Sequence, residues 1–117
     1  MKEKFSFENL QVYRKALDYV DCVYEWTRGF PKEERFGLTS QFQRAAQSIA
    51  LNIGEGSGGS KAEFRHFIKI ARRSVRECIV CATIASRRNY LSEKDEKKLR
   101  ERASELSKML SGLFKAI

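Results

Sequence analysis

Apolar residues recur at steps of three and four along most of the chain, and few runs alternate strictly. That period predicts helices rather than strands. The first predicted helix begins near Ser6, a good N-cap, and runs to about Arg28, where Gly29 and Pro31 stop it. It carries two apolar seams. Leu10, Tyr13, Leu17, Val20, Tyr24 and Thr27 share one face, and Val12, Ala16, Tyr19, Val23 and Trp26 share another, about 110° round the helix. A helix at the edge of a four-helix monomer needs one stripe. The second seam therefore predicts a subunit interface through Val12, Tyr19, Val23 and Trp26, because large aromatic side chains suit such surfaces. The alternative is a helix wrapped deeply within one monomer.

The second predicted helix spans about Leu38 to Glu55 after the connection "FPKEERFG". Leu38, Phe42, Ala45, Ala46, Ile49 and Ile53 form its apolar face, with Gln41, Ser48, Asn52 and Glu55 along one border. Such a polar row reads as a buried network that fixes register, a site being the alternative. The third helix runs from about Lys61 to Arg88, roughly 40 Å at 1.5 Å per residue. Its core face is Phe64, Phe67, Ile68, Ala71, Val75, Cys78, Ala82 and Ala85. The fourth follows the turn "NYLSE", with Ser92 as N-cap, and presents Leu99, Ala103, Leu106, Leu110, Leu113 and Ile117. Short connections between neighbours of this length predict an all-α fold, an up-and-down antiparallel four-helix bundle forming a single domain over residues 1–117.

The glycine-rich stretch "NIGEGSGGSKAEF" invites a phosphate-loop reading, which needs G-x-x-x-x-G-K-[ST] after a strand. Gly54 and Gly59 have the spacing, but Ser60-Lys61 reverse the order and the preceding element is a helix. The stretch instead predicts a hinge. Gly56, Gly58 and Gly59 are expected to take positive φ, and Ser60 caps the next helix with Glu63 at capping-box spacing. A free helix N-terminus can attract an anion, so phosphate contact at Ser60 is the alternative, on a weaker signal.

Composition narrows the class. A chain of 117 residues buries a core without metal or disulfide staples. An odd set of cysteines, Cys22, Cys78 and Cys81, suits reduced thiols in a cytoplasm. The opening "MKEKFSFENL" lacks a leader's apolar core, and no apolar run approaches the ~20 residues that span a bilayer. The expectation is a soluble, cytoplasmic protein with no membrane partner.

Enzymatic candidates are thin. Cys78-x-x-Cys81 lies within a helix, whereas redox pairs sit at a helix start after a strand, and zinc would need Cys22 and the lone His66 as further ligands. Buried core residues are the better reading. His66 projects opposite Phe64, toward the surface or an interface, and no pair of carboxylates stands apart from basic neighbours. No catalytic residue, metal or cofactor is assigned, and an enzyme is not expected.

Charge is the stronger clue. Residues 61–90 hold eight cations against Glu63 and Glu77, and so carry six of the chain's eight excess positive charges. Arg65, Lys69, Arg72 and Arg76 step by four, three and four, which sets them on one face of the third helix, with Arg73 and Arg87 flanking and Arg88 beyond. Solvated faces usually mix signs, as "SEKDEKKLRERASE" does. An unpaired row about 16 Å long repels itself, and phosphates relieve that repulsion. Coverage by carboxylates of a neighbouring helix or subunit is the alternative. Arginine faces reach backbone phosphates without selecting sequence, and this helix lacks the exposed aromatics that stack single-stranded bases. Folded or duplex RNA, or DNA, fits best.

Several stretches carry a resemblance: "FENLQVYRKAL", "FPKEERFGLTSQFQRAAQSIALNIGEGSG" and "EFRHFIKIARRSVRE". They resemble four-helix-bundle proteins encoded within intervening sequences of bacterial 23S rRNA genes, over most of Phe7 to Leu91. The resemblance implies an up-and-down bundle and a ring of five subunits. A related fold that serves as the nucleic-acid-binding accessory subunit of diversity-generating reverse transcriptases makes RNA an expected partner by analogy. Two positions depart from the family pattern. Arg73 replaces a small residue and enlarges the basic face, and Gly54 replaces Ala and should weaken the end of the second helix by up to about 1 kcal/mol. The expectation is a non-catalytic homo-oligomer that contacts structured RNA, in preference to DNA, through Arg65, Lys69, Arg72 and Arg76, supported by Arg73, Arg87 and Arg88. The alternative is a protein-interaction scaffold or accessory subunit whose basic face meets an acidic protein.

Overall fold

The computed structural model describes residues 3–117. Four helices, α1 (Gln11–Thr27), α2 (Leu38–Gly56), α3 (Lys61–Arg87) and α4 (Glu93–Ala116), are joined by short connections, with 3₁₀ turns at Ser6–Asn9 and Lys32–Glu34. No strand occurs among the described residues. Each helix packs on its sequence neighbours, α2 on α3 most extensively, and α1 closes the bundle against α4. The fold is an all-α four-helix bundle, as the apolar period predicts.

Helix starts follow local chemistry. The Ser60 hydroxyl accepts from the Glu63 N–H at 3.1 Å, while the Ser60 N–H donates to Glu63 Oε1 at 3.0 Å. The Ser60 N–H first, and the Ser60 hydroxyl second, hold the Glu63 carboxyl below its ordinary pKa. Ser92 caps α4 by accepting from the Asp95 N–H at 3.1 Å. The start of α1 differs from the sequence reading. Ser6 opens a 3₁₀ turn rather than the helix, and the extended Leu10 (φ −69°, ψ 128°) separates that turn from α1. The break lets Phe7 fold back, its ring edge-on to Tyr13 with centroids 5.0 Å apart.

The hinge between α2 and α3 also corrects an expectation. No glycine has positive φ. The turn is made by i→i+3 bonds, Gly58 N–H to Glu55 O at 3.3 Å and Gly59 N–H to Gly56 O at 3.2 Å. Gly56 is instead required by packing, because a Cβ there would stand 2.6 Å from Phe67 Cβ on α3. The left-handed residue is Asn89 (φ 62°). It ends α3 in a Schellman arrangement, with Tyr90 N–H donating to Ala85 O and Asn89 N–H to Ser86 O.

The core runs the length of the bundle. Tyr19, Phe42, Ile49, Ile53, Ile68, Leu99, Leu106 and Leu110 are its largest fully buried side chains. The apolar faces of α2, α3 and α4 point inward as their spacing predicts, but α1 is rotated from the expected setting. Val12, Tyr19 and Val23 are 5%, 2% and 0% exposed within the single chain. They cannot form a subunit interface, and Trp26 is half-buried against the same core. The seam through Tyr13, Leu17 and Tyr24 is the one turned outward. Cys78 and Cys81 are core residues, and burial raises both thiols, Cys81 to about 11. Beside them the Tyr19 hydroxyl is enclosed without a hydrogen-bond partner, among Cys22, Cys78 and Cys81.

Of the polar border of α2, Ser48 and Asn52 form a part-buried network that reaches α3, while Gln41 and Glu55 are exposed. Ser74 of α3 donates to Ser48 Oγ at 2.8 Å, and Asn52 Nδ2 donates to the same oxygen at 2.9 Å. Gln41 reaches Glu77 at 3.5 Å. Glu55 lies elsewhere, on a groove between α1 and α2.

Candidate nucleic-acid interface

The long, uninterrupted α3 presents its cations on the side away from the core, because Ile68, Ala71, Val75 and Cys78 are held inside. Lys69, Arg72, Arg73 and Arg76 are all exposed and together line one shallow hollow of about 280 Å³. Among the described residues the ion pairs are Lys15–Glu105, Arg28–Glu25 and Arg100–Glu96, and none involves these four cations. Glu77 follows Arg76 directly but interacts with Gln41 across on α2. Among the described residues no carboxylate forms an ion pair with the row, Glu77 at four residues past Arg73 included. Like charges so close, exposed and without ion-pair partners, make a field that attracts polyanions.

The remaining predicted contacts separate from this group. Arg65 is half-buried and donates through Nη2 to the Ile117 main-chain oxygen. Its guanidinium carbon lies 6.0 Å from the Phe114 ring centroid, and the Lys69 ammonium lies 5.7 Å from the same centroid. Arg65 thus anchors the end of α4 to α3 and is less available than its helical register suggests. Arg87 and Arg88 are exposed but line a different hollow with Ile84, beyond the apolar Val80. The row is a compact cluster of four, with one buttress and a detached pair. His66 is exposed, edge-on to Phe67.

No cluster of three or more His, Cys, Asp or Glu side chains that could hold a metal occurs among the described residues. No described helix is long and apolar enough to cross a membrane.

A second surface escapes the sequence reading. Phe7, Tyr13, Leu17, Val20, Ala50 and Leu51 line an open groove of about 450 Å³ between α1 and α2. Leu51 is 66% exposed, Leu17 and Tyr24 41% each. The available signal was chemical. Tyr13 and Tyr24 carry hydroxyls that suit a half-wet face, and Tyr24 accepts from Gln47 at the groove's edge. That signal is weak, because the inward seam of Val12, Ala16 and Val23 also holds a tyrosine, Tyr19.

A four-helix bundle with an unpaired cationic face on its longest helix defines a class of small, basic helical proteins. Residues 8–112 match the 23S rRNA-intervening sequence protein family, and the chain belongs to it. The bundle is also similar to a crystal structure of a protein of unknown function from the S23 ribosomal protein family of Bacteroides thetaiotaomicron. The two share 23% identity and a TM-score of 0.81, with 89% of this chain and 98% of that one covered, a likeness of fold. No curated protein matches the sequence.

Proposed function

We propose that the protein is a cytoplasmic, non-catalytic nucleic-acid-binding protein that contacts structured RNA through α3 in a ring-like homo-oligomer. Five subunits is the number that the sequence resemblance implies. The observation that carries the reading is the cluster Lys69, Arg72, Arg73 and Arg76, exposed and without a carboxylate partner in the chain. Four cations within about 10 Å of helix can each neutralise a phosphate, and the gain comes largely from counterion release. The one aromatic ring that reaches this cluster, Phe114, is half-buried and already engaged by Arg65 and Lys69, which favours phosphate contacts on a folded or duplex form over stacking on single strands. The family's description names a 23S rRNA intervening sequence, which makes RNA the first nucleic acid to test.

The experiment is binding of a folded RNA across a salt series, by wild type and by Lys69→Gln/Arg72→Gln/Arg73→Gln/Arg76→Gln. Each lost phosphate contact removes about 0.7 to 0.9 from the slope of log K against log salt. A folded variant with weaker binding and a flattened slope supports the reading. Equal binding by both proteins, or none at low salt, rejects it in favour of an acidic protein partner for the same face.

A further inference from the structure

We infer that the groove between α1 and α2 receives the Val80–Ile84 ridge of α3 from a second copy of this chain. The inference rests on the homo-oligomer part of the proposed function and names the surfaces that would build it. Val80 and Ile84 are 56% and 39% exposed, one helical turn apart, and form an apolar ridge with Glu77 one turn before it and Arg87 and Arg88 after it. The groove is its counterpart in shape, an open apolar channel with Leu17 on one wall and Leu51 on the other. An i, i+4 pair of aliphatic side chains is how a helix commonly seats in such a channel.

Charge favours the same pairing. Glu55 is the one ionised side chain lining the groove. Arg87 and Arg88 lie at the far end of the ridge, in one hollow with Ile84. Neither arginine has an ion pair within the described residues. Seating the ridge would bring arginines to a carboxylate and cover apolar surface on both copies. The two patches differ, and they lie on different parts of the bundle, so the contact is head-to-tail. Repeated, it closes into a ring if the rotation permits. Arg87 and Arg88 then belong to the contact between copies, while the cluster Lys69, Arg72, Arg73 and Arg76 lies on the other side of Val80 along the helix. This gives the detached pair a role apart from the cluster.

The test uses two double variants, Leu17→Glu/Leu51→Glu in the groove and Val80→Glu/Ile84→Glu on the ridge, with masses measured by light scattering and sedimentation velocity. All four positions are exposed, and helicity with cooperative unfolding verifies that each variant is folded. If a double variant loses its fold, Leu51→Gln or Val80→Gln replaces it. The expected result is an oligomeric wild type, each variant alone as a monomer, and an equimolar mixture of the two forming a dimer of twice the monomer mass. That dimer arises because one variant keeps an intact ridge and the other an intact groove. An oligomeric wild type with either variant still fully assembled overturns the surface assignment and leaves the homo-oligomer standing. Monomeric variants whose mixture stays monomeric overturn the head-to-tail pairing. A wild type that is monomeric at micromolar concentration removes the homo-oligomer and this inference with it.

Discussion

Gly56 of α2 approaches Phe67 of α3 so closely that a Cβ on the glycine would stand 2.6 Å from the Phe67 Cβ. The opposing atom is the root of a side chain, not its flexible end, so the helices themselves would have to part. Gly56→Ala should therefore destabilise the fold by about 1–3 kcal/mol, the usual range for overpacking. Two residues earlier the outcome reverses. A Cβ on Gly54 would meet the Phe7 ring at 3.4 Å, ordinary contact. Gly54→Ala should gain up to about 1 kcal/mol of helix propensity. Urea unfolding of the pair of variants measures both signs.

Asn89 holds φ 62° at the end of α3. Asn89→Gly keeps that conformation available and should leave the melting temperature unchanged or slightly raised. Asn89→Ala places an ordinary side chain in the left-handed region and should cost about 1 kcal/mol. Thermal unfolding by circular dichroism separates the two.

Ser74, 6% exposed, donates to Ser48 at 2.8 Å, and Ser48 also receives Asn52. Ser74→Ala should cost about 1 kcal/mol. A double-mutant cycle with Ser48→Ala should show coupling between the sites, since each single change strands the same network. Additive effects would mean the α2–α3 register is held by apolar packing alone.

The thiols should differ sharply in reactivity. Cys22 is half-buried beside the Arg102 guanidinium, with Arg102 Nη1 2.8 Å from its sulfur, whereas Cys78 and Cys81 are enclosed. Alkylation of the native protein should modify Cys22 first, and the other two only on unfolding. Burial raises Cys81 from 9.0 to about 11, and raises Cys78 further. A folded-state pKa above the unfolded value means stability that is complete below about pH 9 and lost as pH rises through the folded value. The urea midpoint should fall from about pH 9 upward, and Cys78→Ala/Cys81→Ala should flatten that fall while lowering the baseline.

The hydrogen bond from the Tyr90 hydroxyl to Glu34 Oε2, at 3.0 Å, raises the phenol above its ordinary value. Glu34 Oε1 meanwhile accepts the Leu38 N–H at the start of α2, at 3.2 Å. Glu34→Ala should bring the Tyr90 titration back toward an ordinary tyrosine, read from phenolate absorbance against pH. It should also lower the melting temperature through the lost cap.

What the sequence determined by itself was whatever depends on residues three or four apart. The capping box at Ser60, the N-cap at Ser92, the inward faces of α2, α3 and α4, and the register of the cations on α3 all follow from helical period and local hydrogen bonding. The left-handed residue is an exception: the sequence points to the glycines for positive φ, and Asn89 takes it instead. The tertiary structure decided what depends on distant partners. Two apolar seams on α1 are equivalent to a periodicity argument. Only the positions of α2 and α4 turned Val12, Tyr19 and Val23 inward and left Leu17 beside Leu51. Gly56 looked like a turn residue until Phe67 of α3 lay against it. Arg65 looked like its neighbours on the stripe until α4 brought Ile117 and Phe114 to it, leaving Lys69, Arg72, Arg73 and Arg76 as the open cluster. Local spacing fixes where a side chain points on its own helix, and the packing of the other helices fixes what it meets there.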